Sequence, residues 1–181
     1  MAVPLQTCNS NVCLNPHCEE KPTEKSSIFS IRNRTMTQED LDALEQVGEE
    51  VTHVDLCNAD IDVNLLTQLG QKLKDMTENS CVRITCLDLD DNAIGEDTAG
   101  ETALLNVIKE LRCIEEISLR NTGIRDRFVS RLAALVVRLN DSHRLKRVDL
   151  RSNGLLTPAA FAAVEGSRRL LSSDKISFLL S

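Results

Sequence analysis

Ile84-Thr85-Cys86-Leu87-Asp88-Leu89-Asp90-Asp91-Asn92-Ala93-Ile94 is the stretch whose reading decides the fold. It places aliphatic residues at its first, fourth, sixth and eleventh positions and asparagine at its ninth, the spacing L-x-x-L-x-L-x-x-N-x-L. Its centre alternates apolar and other residues, the mark of a half-buried strand.

Working outward, the pattern recurs. Leu145-Lys146-Arg147-Val148-Asp149-Leu150-Arg151-Ser152-Asn153-Gly154-Leu155 is again complete. Ile114-Glu115-Glu116-Ile117-Ser118-Leu119-Arg120-Asn121-Thr122-Gly123-Ile124 keeps the apolar set with threonine at the asparagine position. Val51-Thr52-His53-Val54-Asp55-Leu56-Cys57-Asn58-Ala59-Asp60-Ile61 has alanine there, and a fifth copy opens at Ile176-Ser177-Phe178-Leu179. The copies start at 51, 84, 114, 145 and 176, spacings of 33, 30, 31 and 31. Apolar residues at helical intervals follow each one: Leu65, Leu66, Leu69, Leu73 and Met76; Leu104, Leu105, Ile108 and Leu111; Phe128, Leu132, Leu135, Val136 and Leu139. A weaker set, Phe161, Val164, Leu170 and Leu171, is interrupted by Gly166. One strand-helix unit cannot bury its apolar face alone, but stacked neighbours share a continuous core. Asn92 and Asn153 belong in the turn leaving each strand, bonded to backbone of the adjacent turn. Ala59 and Thr122 make that ladder imperfect.

These residues resemble the ribonuclease-inhibitor-type leucine-rich-repeat family over about residues 51 to 181. The resemblance implies an α/β leucine-rich-repeat solenoid, with a curved parallel sheet on the concave side, helices on the convex side, and a binding role for the scaffold. The spacing departs from the usual roughly 20 to 29 residues, which we assign to longer helices or turns.

The expected organisation has a flexible, cysteine-containing arm over 1–35, a capping helix over 36–50, and the repeats over 51–181, four full copies and a terminal half-repeat. Thr37-Gln38-Glu39-Asp40, followed by Leu41, Leu44 and Val47, reads as a capped helix ending near Gly48.

Composition narrows function. The net charge is -7, aromatics are 2% and Trp and Tyr are absent, which disfavours nucleic acid, because phosphates are repelled and base-stacking faces are lacking. No apolar run approaches a membrane-spanning length of roughly 18 residues. Seven cysteines (Cys8, Cys13, Cys18, Cys57, Cys81, Cys86 and Cys113) without regular spacing or a secretory leader suit free thiols in the cytoplasm. Cys8, Cys13, His17 and Cys18 are the one zinc-like constellation, but the adjacency of His17 and Cys18 and the absence of paired short spacings argue against a site. No metal or other cofactor is expected.

With positions four and six pointing inward, positions three, five, seven and eight face the concave side. Among them, His53, Asp55, Cys57, Asp88, Asp90, Asp91, Glu116, Arg120, Arg147, Asp149 and Arg151 are the candidate partner-binding residues. Asp88, Asp90 and Asp91 crowd one strand, Asp55 lies one strand away, and nothing in the repeat pattern itself requires aspartate there. The sheet should run from acidic toward basic, receiving a protein partner with a basic patch over the first two repeats; the bland alternative is a charged face that keeps the molecule solvated. No nucleophile, general base or phosphate-binding loop accompanies the acids, so the expectation is a non-catalytic adaptor or inhibitor. The alternative is a structural subunit of a cytoskeletal or organellar assembly, docking through a C-terminal edge strand bearing Ile176, Phe178 and Leu180.

Overall fold

A computed structural model describes residues 27–46, 51–79, 83–139, 142–171 and 176–180. The order of elements is β1 (Ser27–Ser30), α1 (Gln38–Glu45), β2 (Val51–Asp55), α2 (Val63–Asn79), β3 (Cys86–Asp88), α3 (Thr98–Glu110), β4 (Glu116–Ser118), α4 (Asp126–Leu139), β5 (Arg147–Asp149), α5 (Pro158–Leu170) and β6 (Ser177–Leu179), with a 3-10 turn at Ile94–Glu96 before α3. The protein is α/β. Its six strands form one all-parallel sheet in strict chain order, each pairing with its sequence neighbours, and successive helices pack on one another.

The strands follow from their alternation. Phe29, Val54, Leu87, Ile117, Val148 and Phe178 are cross-strand partners, and all but the half-buried Phe29 are buried. Leu56, Leu89, Leu119 and Leu150, two residues on, are fully buried beneath the same face. The helices present their apolar stripes to this layer, so the core is a continuous slab between sheet and helices. Helix starts carry side-chain caps: Thr37 and Asp40 form a reciprocal capping box, Asp97 caps α3, and Thr157 caps α5 ahead of Pro158. No helix among the described residues is long and apolar enough to cross a membrane.

Four expectations are corrected. Residues 27–35, read as the end of an arm, are folded: Ser27–Ser30 pairs with β2, and Ile31 and Met36 are buried. The capping element is therefore a strand-helix unit, with β1 and the turn through Met36 ahead of α1. The last copy is out of register by one residue. Phe178 pairs with Val148 rather than with Arg147, so Phe178 and Ile176 turn to the core while Ser177 and Leu179 take the open face, the reversal a one-residue slip produces. Leu155 is 55% exposed and Leu156 packs against the core in its place. Phe161 and Leu170 stand outside the α5 stripe, which is Ala160, Val164, Ser167 and Leu171. Cys8, Cys13, His17 and Cys18, and Val47 and Gly48, lie outside the described residues.

Candidate binding face

The side of the sheet turned from the helices is built from two columns. Ile28, His53, Cys86, Glu116, Arg147 and Ser177 form one, and Ser30, Asp55, Asp88, Ser118, Asp149 and Leu179 the other. Each strand then leaves through a turn. Arg32, Cys57, Asp90, Arg120 and Arg151 take equivalent places there, and the residue after each (Asn33, Asn58, Asp91, Asn121 and Ser152) has φ between 51 and 61°. That left-handed conformation is one asparagine and aspartate tolerate better than other non-glycine residues.

The aspartates of the second column have a structural task that the pattern alone did not disclose. Asp55 accepts the Cys57 N–H at 3.2 Å, Asp88 accepts the Asp90 N–H at 2.9 Å, and Asp149 accepts the Arg151 N–H at 3.1 Å. Each carboxylate thus closes the turn that follows its own strand. Ser118 occupies this place in β4, and there Asp90 reaches across from the neighbouring unit. It accepts the Arg120 N–H at 2.7 Å and the Ser118 hydroxyl at 2.6 Å.

Three of the six acids on this face are also matched by cations. Arg32 lies 3.4 Å from Asp55, Arg147 pairs with Glu116, and Arg151 holds Asp149 through both carboxylate oxygens. Burial opposes ionisation of Asp149, but the Arg151 hydrogen bonds outweigh it and keep its pKa below the ordinary value. Asp88, Asp90 and Asp91 differ: among the described residues none has a lysine or arginine at ion-pair distance. Burial pushes the Asp88 carboxyl above its ordinary pKa; the Asp90 N–H pulls the other way, and the charges of Asp90 and Asp55 add to the rise. The face is therefore not a gradient from acidic to basic. Arg32, contributed by the strand the sequence reading missed, makes it basic, acidic, then basic.

No protein-family model and no curated protein matches this sequence. Function has to be read from the face itself.

Of the sequence-derived candidates, His53, Asp88, Asp90, Glu116, Arg120, Arg147 and Asp149 line one open hollow of about 490 Å³, together with Cys86 and Ser118. Asp55, Cys57, Asp91 and Arg151 do not line it. Cys57 is buried, its Sγ 3.5 Å from Asp91 Oδ2, and burial raises its pKa. The Cys86 thiol is pushed up to about 11 by burial and by the charges of Glu116 and Asp88, so neither sulfur is an activated nucleophile. Among the described residues no three His, Cys, Asp or Glu side chains are grouped to hold a metal. His53 Nε2 is buried and has no hydrogen-bond partner among the described residues.

Proposed function

We propose that this chain is a leucine-rich-repeat solenoid of the ribonuclease-inhibitor type, and a non-catalytic module that binds a basic patch of another protein on its sheet face. The repeat reading is supported by six parallel strands in chain order and by the buried asparagines that tie consecutive turns together. Concavity of the sheet side has a physical reason. Packed helices need about 8 to 10 Å between axes and paired strands only about 4.8 Å, so stacking one helix per strand bends the sheet inward.

One observation carries the binding proposal. Asp88, Asp90 and Asp91 lie together at the centre of the face with no cationic partner among the described residues, while Asp55, Glu116 and Asp149 around them have one. Like charges held this close repel, and an arginine or lysine supplied from outside relieves that repulsion. Flanking Arg32 and Arg147 would reject a uniformly basic surface, so the partner's cations should be a narrow patch. Free thiols at Cys57, Cys86 and Cys113 fit a reducing compartment, and we place the protein in the cytoplasm.

The test compares wild type with Asp88→Asn/Asp91→Asn, in which the amide oxygen can still accept the turn hydrogen bonds. Binding of an oligo-arginine peptide, followed by fluorescence anisotropy at low and physiological salt, should weaken at least about tenfold in the double variant, and its salt dependence should flatten. Equal affinity of both proteins at low salt would remove the acidic centre as the contact site. A pull-down from native cells, repeated with the variant, then identifies the partner.

A further inference from the structure

The last unit carries a face that the unit before it keeps covered. In α4, Arg127 and Arg131 reach back to Glu101 and Thr102 of α3. Val129, Ala133 and Val136 stand on the other side of the helix, toward α5, and all three are buried. Counted from the first helical residue, Phe161, Glu165 and Arg168 fill those places in α5, and all three are exposed, Phe161 by 47%. Leu155 is exposed in the loop leading into the same helix. Among the described residues no strand pairs with the outer edge of β6 either. The Ser177 N–H bonds to Lys146 O, and Leu179 O accepts from Leu150 N. Alternate residues point opposite ways along a strand, so the backbone groups of Phe178 and Leu180 face outward.

We infer that this end of the molecule is a self-association surface, and that a second copy of this chain docks on it about a two-fold axis. The two β6 edges pair antiparallel and continue the sheet, and the two α5 outer faces meet. The argument for a second copy is charge. The molecule carries a net charge of -7, so most like-with-like contacts would be repulsive. Ile176-Ser177-Phe178-Leu179-Leu180 is uncharged, and Leu179 is the one apolar residue in a column otherwise made of serine and aspartate. Lysine and proline are among the devices that keep edge strands from pairing, and β6 has neither. Outside it, α5 exposes Glu165 with Arg168 and Arg169. Two antiparallel copies of that set place each glutamate against an arginine. A two-fold contact is also self-limiting, whereas a head-to-tail contact would grow into a filament. At the opposite end β1 is likewise an edge strand, with Ile28 55% exposed, but α1 beside it exposes Glu39, Asp42 and Glu45, so two copies of that end repel one another.

Sedimentation velocity over a range of concentrations, on the full chain, tests this. Wild type should pass from monomer to dimer and no further. Leu179→Lys and Phe161→Asp should each weaken the dimer at least about tenfold with melting curves like that of the wild-type monomer, while Asp88→Asn, on the sheet face, should dimerise like wild type. A wild type that stays monomeric at high concentration, that grows beyond a dimer, or whose dimer survives both edge variants overturns the inference.

Discussion

Asn92 shows how one side chain can set the spacing of a whole unit. Its Oδ1 accepts the N–H groups of Ala59 at 3.0 Å and Ile61 at 3.2 Å, and its Nδ2 donates to Leu56 O and Leu89 O at 2.8 and 2.9 Å. Asn153 repeats this against the turn holding Thr122 and Ile124. Both are buried, so every bond lost leaves a desolvated backbone group. Asn92→Ala should cost about 3 kcal/mol or more, since two N–H groups lose their acceptor. Thr122→Ala should cost only about 1 kcal/mol, because Leu119 O, which accepts from Thr122, still accepts from Asn153. Urea melts of the two variants check the order; equal losses would contradict this accounting. Asp88 works in the other direction. Its folded-state pKa is raised, so ionisation costs stability, which is full below the ordinary carboxylate pKa of about 3.9 and lost as pH rises through the folded value. Asp88→Asn should therefore stabilise the protein at neutral pH by up to about 1 kcal/mol, and the advantage should vanish below pH 4 or so. Thermal melts at both pH values decide it. A gain at neutral pH from a variant that weakens binding would be the usual exchange of stability for function.

Glycines sort the elements by how closely each is approached. A Cβ at Gly95 would sit 2.5 Å from the Ile124 backbone nitrogen, whereas one at Gly166, inside α5, would meet nothing within 4 Å. Gly95→Ala should cost about 1 to 3 kcal/mol through overpacking, and Gly166→Ala should add about 0.5 to 1 kcal/mol of helix stability. Denaturant midpoints of opposite sign are the expected result. Legibility in the sequence also varied by element. The four central strands and α2 to α4 were readable because Leu87, Leu89, Leu119 and Leu150 alternate with charged residues and the helices carry apolar stripes. The first strand was missed because it stands 25 residues before the next copy, amid serines and arginines, with only Phe29 and Ile31 to mark it. Its Asn33, in the same left-handed conformation as Asn58, Asp91, Asn121 and Ser152, was the signal available. At the other end Ile176, Phe178, Leu179 and Leu180 are all apolar, so alternation could not fix the register and only pairing with β5 does. On the candidate face, residue type and column were legible. The ion pairs were not, because Arg32 reaches Asp55 from an element the pattern did not reveal.

For the molecule as a whole, each unit is finished by its neighbours, so the ends decide whether the stack is stable. At the first end, Ile31 N–H bonds to Asp55 O at 2.8 Å, Asn33 N–H to Cys57 O at 3.1 Å and Met36 N–H to Ala59 O at 2.8 Å. Ile31 and Met36 are buried over the first helical layer. A chain beginning at residue 27 retains all of this, and one beginning at residue 36 keeps α1 but loses the strand. If α1 alone were the cap, the two should melt together. If the strand completes the cap, as its pairing with β2 indicates, the shorter chain loses burial of Phe29 and Ile31, at about 1.5 to 3 kcal/mol for each fully buried side chain, and leaves the β2 edge open. The shorter chain should then be less stable by at least about 2 kcal/mol, since Phe29 is only half-buried, and prone to aggregate, while retention of the same denaturation midpoint would return the cap to the helix. The same loss removes Arg32 from beside Asp55, so whatever remains folded should bind oligo-arginine more tightly than the longer chain does. Stability and affinity moving in opposite directions on one truncation would tie the end of the stack to the charge balance of its face.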